Sequence, residues 1–145
     1  MQRLTPQLSY PDTAAAIEWY GRAFGARERM RLEAPGGGIV HAQIQLGEAL
    51  LMMLDACPQM PAPDPDRGAP GAYYLLVSDA DAAWHRAVEA GAKPLIPVTN
   101  TFWGDRCGSV RDPFGYMWTF ATKVEEMSPE EMVLAGKAAF NEQVA

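Results

Sequence analysis

The feature that most constrains this chain is an internal repeat. The helix-ending pair Gly25-Ala26 recurs as Gly91-Ala92, 66 residues later, and the candidate helix caps Asp12 and Ser78 stand 66 residues apart as well. The hairpin glycines Gly47 and Gly115 stand 68 apart. A fixed offset of this size marks two copies of one supersecondary unit. In the first copy, Thr5 to Tyr10 reads as a strand. A helix follows, with Ala16, Ile17, Tyr20 and Phe24 at spacings of three and four, Asp12 as N-cap and Gly25 just past its end. Strands are expected over 27–33, 39–46 and 49–55, the last two joined by Gly47-Glu48. In the second copy, 72–78 is a strand, Asp79-Ala-Asp81 opens a helix with Ala83, Trp84, Ala87 and Val88 on one face, and strands follow over 93–101, 107–111 and 117–122. Both copies read β-α-β-β-β.

The predicted class is therefore α+β: two β-α-β-β-β modules forming a cupped mixed sheet, with a C-terminal helix added. Residues 1–56 form the first module, 57–71 a proline-rich linker or lid, 72–122 the second module and 123–145 the extension, all within one structural domain. Ser128-Pro-Glu-Glu131 is a capping box that opens the terminal helix, whose stripe of Met132, Val133, Ala135 and Phe140 lacks basic residues. That stripe reads as an appendage packed on its own domain or on a second subunit, rather than as a membrane or calmodulin-type ligand.

Composition narrows the function classes. The 145 residues are 48% hydrophobic and carry 12 Lys and Arg against 18 Asp and Glu, a net charge of −6. With no basic cluster, there is no electrostatic footprint for a nucleic acid. The longest apolar run, 49–54, is too short to span a bilayer, and the N-terminus lacks the apolar core of a signal peptide, so a cytoplasmic protein without a membrane partner is expected. Cys57 and Cys107 are expected to stay reduced.

A sheet covered by helices on one side places apolar residues there and frees the other face. In the third strand Val40, Ala42, Ile44 and Leu46 point one way and His41, Gln43 and Gln45 the other; in the first, Leu4 and Leu8 oppose Thr5, Gln7 and Ser9. In the last strand Trp118 and Phe120 are expected to face the helix, leaving Met117, Thr119 and Ala121 on the open side, and the repeat offset matches Ser109 with His41. Leu50, Met52, Leu54 and Tyr74 share the open parity with Met117, which would be an odd exposure for a plain wet face. A ligand-holding cleft is expected, with Gln7, His41, Gln43, Met52, Tyr74, Trp103, Arg106, Ser109, Met117 and Thr119 as binding residues.

Three stretches carry a family resemblance. They are 8–12 with Ala16-Ile-Glu-Trp-Tyr-Gly-Arg-Ala-Phe-Gly-Ala26, Val77-Ser-Asp-Ala-Asp81 with Ala87-Val-Glu-Ala-Gly-Ala92, and Trp103-Gly-Asp-Arg106 with Arg111-Asp-Pro-Phe-Gly-Tyr-Met-Trp118. Together they resemble the vicinal oxygen chelate superfamily, which includes glyoxalase I, the bleomycin resistance proteins and extradiol dioxygenases, over roughly residues 4–122. The resemblance implies a cupped sheet from paired modules and frequent homodimers that combine units of two chains. It also implies, for the metal enzymes of the family, His, Gln or Glu ligands on the first and fourth strands of each module. Carried over, those positions fall on Thr5, Met52, Ala72 and Thr119, none of them a competent ligand, and their immediate neighbours supply no better donor. Neither a metal nor another cofactor is expected.

The chemistry-bearing residues keep two readings each. His41 is a candidate acid/base, although no carboxylate partner is visible, or else a hydrogen-bonding pocket wall. Cys107 is a nucleophile candidate near Arg106 and Arg111, or a small lining residue. Asp105 and Arg106 gate the cleft or hold a ligand carboxylate at the rim, or only fix the loop by pairing with each other. Asp112-Pro-Phe-Gly115 reads as turn chemistry. The first functional reading is a metal-independent protein that sequesters a mid-sized aromatic, cationic and antibiotic-like molecule. The alternatives are a glyoxalase-like lyase or isomerase using His41, and a protein-partner role through the acidic segment 125–131.

Overall fold

The computed structural model describes residues 1–144, so Ala145, the end of the expected extension, lies outside the described residues. The first module runs β1 (Gln7–Tyr10), α1 (Thr13–Phe24), β2 (Arg27–Glu33), β3 (Ile39–Leu46), β4 (Ala49–Asp55). The second runs β5 (Tyr73–Leu76), α2 (Ala80–Glu89), β6 (Lys93–Asn100), β7 (Asp105–Arg111), β8 (Met117–Lys123), and α3 (Pro129–Val144) closes the chain. Each module forms a four-stranded mixed sheet with the same order, β1-β4-β3-β2 and β5-β8-β7-β6, in which only the first pair is parallel.

Local chemistry explains the helix boundaries. Asp12 caps α1 by accepting from Ala15 N at 3.2 Å, and Gly25 ends it in the left-handed region at φ 71°. In α2 the cap is Asp79, accepting from Ala82 N at 3.0 Å, rather than Ser78, so the true cap-to-cap offset is 67 residues. Ser128 and Glu131 form the expected capping box on α3, with Glu131 N donating to Ser128 Oγ at 3.1 Å.

Three expectations about strand faces are corrected. Val40 is 53% exposed and Ile39 takes the core position, because Glu33 pairs with Ile39 and Leu32 with His41, leaving Val40 as the extra residue of a bulge. Leu4 is 96% exposed because β1 begins only at Gln7. Ser9, expected on the open side, is buried, its Oγ donating to Pro61 O at 3.1 Å. The 57–71 segment is thus pinned: Ala69 N also donates to Gly115 O, and Arg111 reaches Asp66 O.

One hydrophobic core joins both modules. Phe24 of α1 packs edge-on against Trp118 and Phe120 of β8, with ring centroids 5.0 and 5.2 Å apart, and Tyr20 packs on Trp118 at 5.7 Å. Trp19 Nε1 donates to Ala90 O at 2.8 Å, and Arg86 Nε to Arg22 O at 2.9 Å. At the centre lies the Asp112 carboxylate, which accepts from Tyr20 OH, from Trp118 Nε1 at 2.9 Å, and from the N–H groups of Phe114 and Tyr116 at 2.9 and 3.0 Å. The same turn projects Tyr116, whose OH donates to Ser9 O and accepts from Ser9 N on the free edge of β1. α1 is therefore held between the helix-facing sides of both sheets. The two modules meet back to back.

Removing the Asp112 carboxylate leaves an indole and two backbone N–H groups buried without acceptors and leaves the Tyr20 phenol only Tyr10 OH as a partner. Asp112→Ala is expected to lower unfolding free energy by about 3 kcal/mol or more, measured by urea denaturation. Asp55 ties elements of the first module together, accepting from Thr13 N and Ile39 N, both at 2.9 Å. Burial pulls its carboxyl up, but those N–H donors outweigh burial and hold its pKa below the ordinary aspartate value. A depressed folded-state pKa adds stability that is present above the unfolded value near about 3.9 and lost as pH falls through the folded one. Asp55→Asn is expected to flatten the stability profile below about pH 4, as read from denaturant midpoints across acid pH.

Candidate functional site

Back-to-back packing leaves the other face of each sheet turned outward, so the predicted site residues divide between two surfaces. The first surface carries Gln7, Gln43 and Met52, which lie in register across β1, β4 and β3, with His41 one step along. Gln43 Nε2 lies 3.0 Å from His41 Nε2, and this is the side-chain partner of the ring. Met30 and Leu32 of β2 pair with Gln43 and His41 and are 40% and 55% exposed.

The second surface carries Tyr74, Thr119 and Ser109 in register across β5, β8 and β7. Ser109 Oγ and Thr119 Oγ1 share a buried 2.8 Å hydrogen bond. Met117 pairs with Arg111 at the far end of this face. Tyr74 OH donates to Asp105 Oδ2 at 2.6 Å and accepts from Trp103 Nε1 at 2.9 Å. Because β8 lies between β5 and β7, the Tyr74 side chain crosses β8 to reach Asp105, which the small residues Thr119 and Ala121 permit. Burial and the bond to Asp105 push the Tyr74 phenol well above its ordinary pKa, so it remains a protonated donor. Burial likewise pushes the Cys107 thiol up, which argues against the nucleophile reading.

Arg106 does not join this group. It points to the helix side, donating to both Asp81 carboxylate oxygens at 2.7 and 2.9 Å and to Asn100 Oδ1 at 3.2 Å. Adjacent strand residues project to opposite faces, so Asp105 and Arg106 cannot pair. Sequence reading missed Asp105 as an open-face group; parity with Cys107 and Ser109 was the available signal.

The rim is built by a corner at 101–104. Gly104 sits at φ +93°, and its carbonyl accepts from Val124 N at 2.9 Å and Glu125 N at 3.0 Å. Phe102 rests against Gly136 of α3, and Phe102, Trp103, Met132, Val133, Gly136 and Phe140 border a groove of about 650 Å³. The terminal helix thus buttresses the corner that carries Trp103.

The metal positions implied by the sequence do not assemble a donor set. Thr5 and Ala72 precede their strands, Met52 offers a thioether, and Thr119 is bonded to Ser109. Among the described residues no group of three or more His, Cys, Asp or Glu side chains is placed to hold an ion. This donor chemistry does not fit the divalent centre of the family's metal enzymes.

The sequence profile of the Glyoxalase/Bleomycin resistance protein/Dioxygenase superfamily matches residues 4–120. The chain belongs to that superfamily. A Mycobacterium bovis relative, "Uncharacterized protein Mb0911c", is 36% identical over 137 residues, covering 91% of this chain and 90% of its own length. Among solved structures, TioX from Micromonospora sp. ML1 superposes with TM-score 0.68 at 28% identity, covering 88% of this chain and all of that one. A bleomycin resistance determinant encoded on transposon Tn5 superposes with TM-score 0.63 at 18% identity, covering 85% and 98%, a likeness of fold. No helix among the described residues is long and apolar enough to cross a membrane.

A methyl group on Gly104 would lie 2.5 Å from Glu125 O, on backbone that L-residues rarely adopt. Gly104→Ala is expected to cost about 2 kcal/mol and to open the Trp103 corner, seen as increased iodide quenching of tryptophan fluorescence.

Proposed function

We propose that this member of the superfamily is a metal-independent small-molecule binding protein that sequesters a mid-sized aromatic ligand between open sheet faces. The supporting observation is the second face. An indole and a phenol, hydrogen-bonded to each other, stand beside the hydroxyls of Ser109 and Thr119, with Tyr74, Leu76 and Ile96 still 48–65% exposed. That mixture of exposed aromatic surface and a few fixed polar groups is the usual lining of a ligand site. The bleomycin resistance determinant among the structural neighbours makes an antibiotic-like ligand a natural candidate.

The cleft in this reading is shared. One chain turns its two open faces in opposite directions, so the face bearing Gln7, His41, Gln43 and Met52 closes over the Tyr74–Trp103 face of a second copy. The exposure of Met30, Leu32, Tyr74, Leu76 and Ile96 favours such a homodimer, since water is a poor neighbour for that much apolar side chain. His41 then serves as a wall donor or acceptor. The lyase or isomerase alternative gains no support, because the ring's partner is the Gln43 amide and among the described residues no carboxylate orients it. A cytoplasmic location accords with this role.

The reading predicts a dimer in sedimentation equilibrium, and quenching of intrinsic fluorescence by the planar dye proflavine that is lost in Trp103→Ala. A monomer that still binds the dye would contradict the shared cleft. Turnover of the methylglyoxal–glutathione adduct abolished by His41→Ala would replace the binder with an enzyme.

A further inference from the structure

Asp105 is a carboxylate on the outward face of the second sheet, 7% exposed, and among the described residues no Lys, Arg or His side chain forms an ion pair with it. Its sequence neighbour Arg106 is held by Asp81 on the opposite side of the strand. Lys123, its register partner on β8, has its ammonium 3.8 Å from Glu126. One oxygen, Oδ2, accepts the Tyr74 hydroxyl; no hydrogen bond to Oδ1 occurs among the described residues, and that atom is not sealed from solvent. The main chain fixes the position, since Asp105 O accepts from both Thr101 N and Thr101 Oγ1 at 2.8 Å. Beside it lie the Tyr74 ring and the Trp103 indole, both fixed in orientation by the hydrogen bond between them.

We infer that this corner recognises an organic cation bearing N–H donors, an ammonium or amidinium on an aromatic frame, with Asp105 as its counter-ion. The inference rests on the ligand-binding reading of the open face and names the charge of its ligand. A largely buried carboxylate is costly unless something donates to it, and one phenol satisfies only one of its two oxygens, leaving the other to water or a ligand. A cation seated there would complete the second oxygen by a charge-assisted hydrogen bond while lying against two aromatic rings, whose faces attract positive charge. An anionic ligand would meet Asp105 at close range in a weakly solvated corner and be repelled. A neutral alcohol of the same shape would donate a single weaker bond.

The test is a matched pair of probes titrated by calorimetry, 1-naphthylmethylamine as its ammonium and 1-naphthylmethanol, at pH 7 and low salt. The wild-type chain is expected to bind the ammonium at least tenfold more tightly. Asp105→Asn, which keeps the shape and the acceptor for Tyr74, is expected to bring the ratio to about one with an unchanged melting temperature. Tyr74→Phe, which keeps the ring and frees Oδ2, is expected to retain the preference. Equal affinity for the two probes in the wild type, or a preference surviving in Asp105→Asn, overturns the assignment while leaving the open-face site standing. If neither probe binds, the open-face reading fails and the counter-ion assignment falls with it.

Discussion

The structure depends on one buried carboxylate. Asp112 draws a phenol from α1, an indole from β8 and two backbone N–H groups of its own turn onto its two oxygens. Burial pushes its pKa up, and the donors, Tyr20 first, oppose that shift. A site of this kind is demanding, because each donor would be stranded without the acceptor and the acceptor would be stranded without the donors. Tyr20 extends the arrangement to Tyr10 through a 2.8 Å phenol pair, and Tyr116 carries it to the free edge of β1. Groups that satisfy one another across the seam allow one relative placement of the two modules and disfavour others.

That placement decides where chemistry can happen. With α1 lodged between the helix-facing sides of both sheets, each open face lies on the side of its sheet away from α1. Each keeps its own character: amides, an imidazole and thioethers on the first; phenol, indole, hydroxyls and a carboxylate on the second. The edge strand β2 is exposed along its whole length. The duplicated unit thus presents two open faces of different chemistry, which the proposed symmetric pair of chains would join twice.

Much of this was legible in the sequence, and the exceptions have identifiable causes. The bounds of β2, β3 and β4 follow from alternation and turn residues, and the 66-to-68-residue offset exposed the second module. The Val40 face was misassigned because a bulge inserts one residue, and a bulge leaves no mark in the hydrophobic pattern of the strand that carries it. Asp112-Pro-Phe-Gly115 does make a turn, with Gly115 N donating to Asp112 O. Its interior role was invisible because the donors on Tyr20 and Trp118 come together only through the fold. The candidate residues on strands were assigned to faces from strand parity, whereas Trp103 and Arg106 were placed at the rim by their position at the entry to β7. Their division between outward surfaces depends on how helices pack across a seam, which periodicity does not encode.

In the proposed homodimer an intact site joins the first face of one chain to the second face of another. Mixing two blocked variants tests it directly: Gln43→Trp fills the first face, Thr119→Trp the second, and each alone should lose proflavine binding. After the two are unfolded together and refolded as mixed pairs, one cleft in each hybrid draws both its faces from unblocked surfaces, so binding should return to about half of those clefts. No recovery in verified hybrids, or full binding by either single variant, would contradict it.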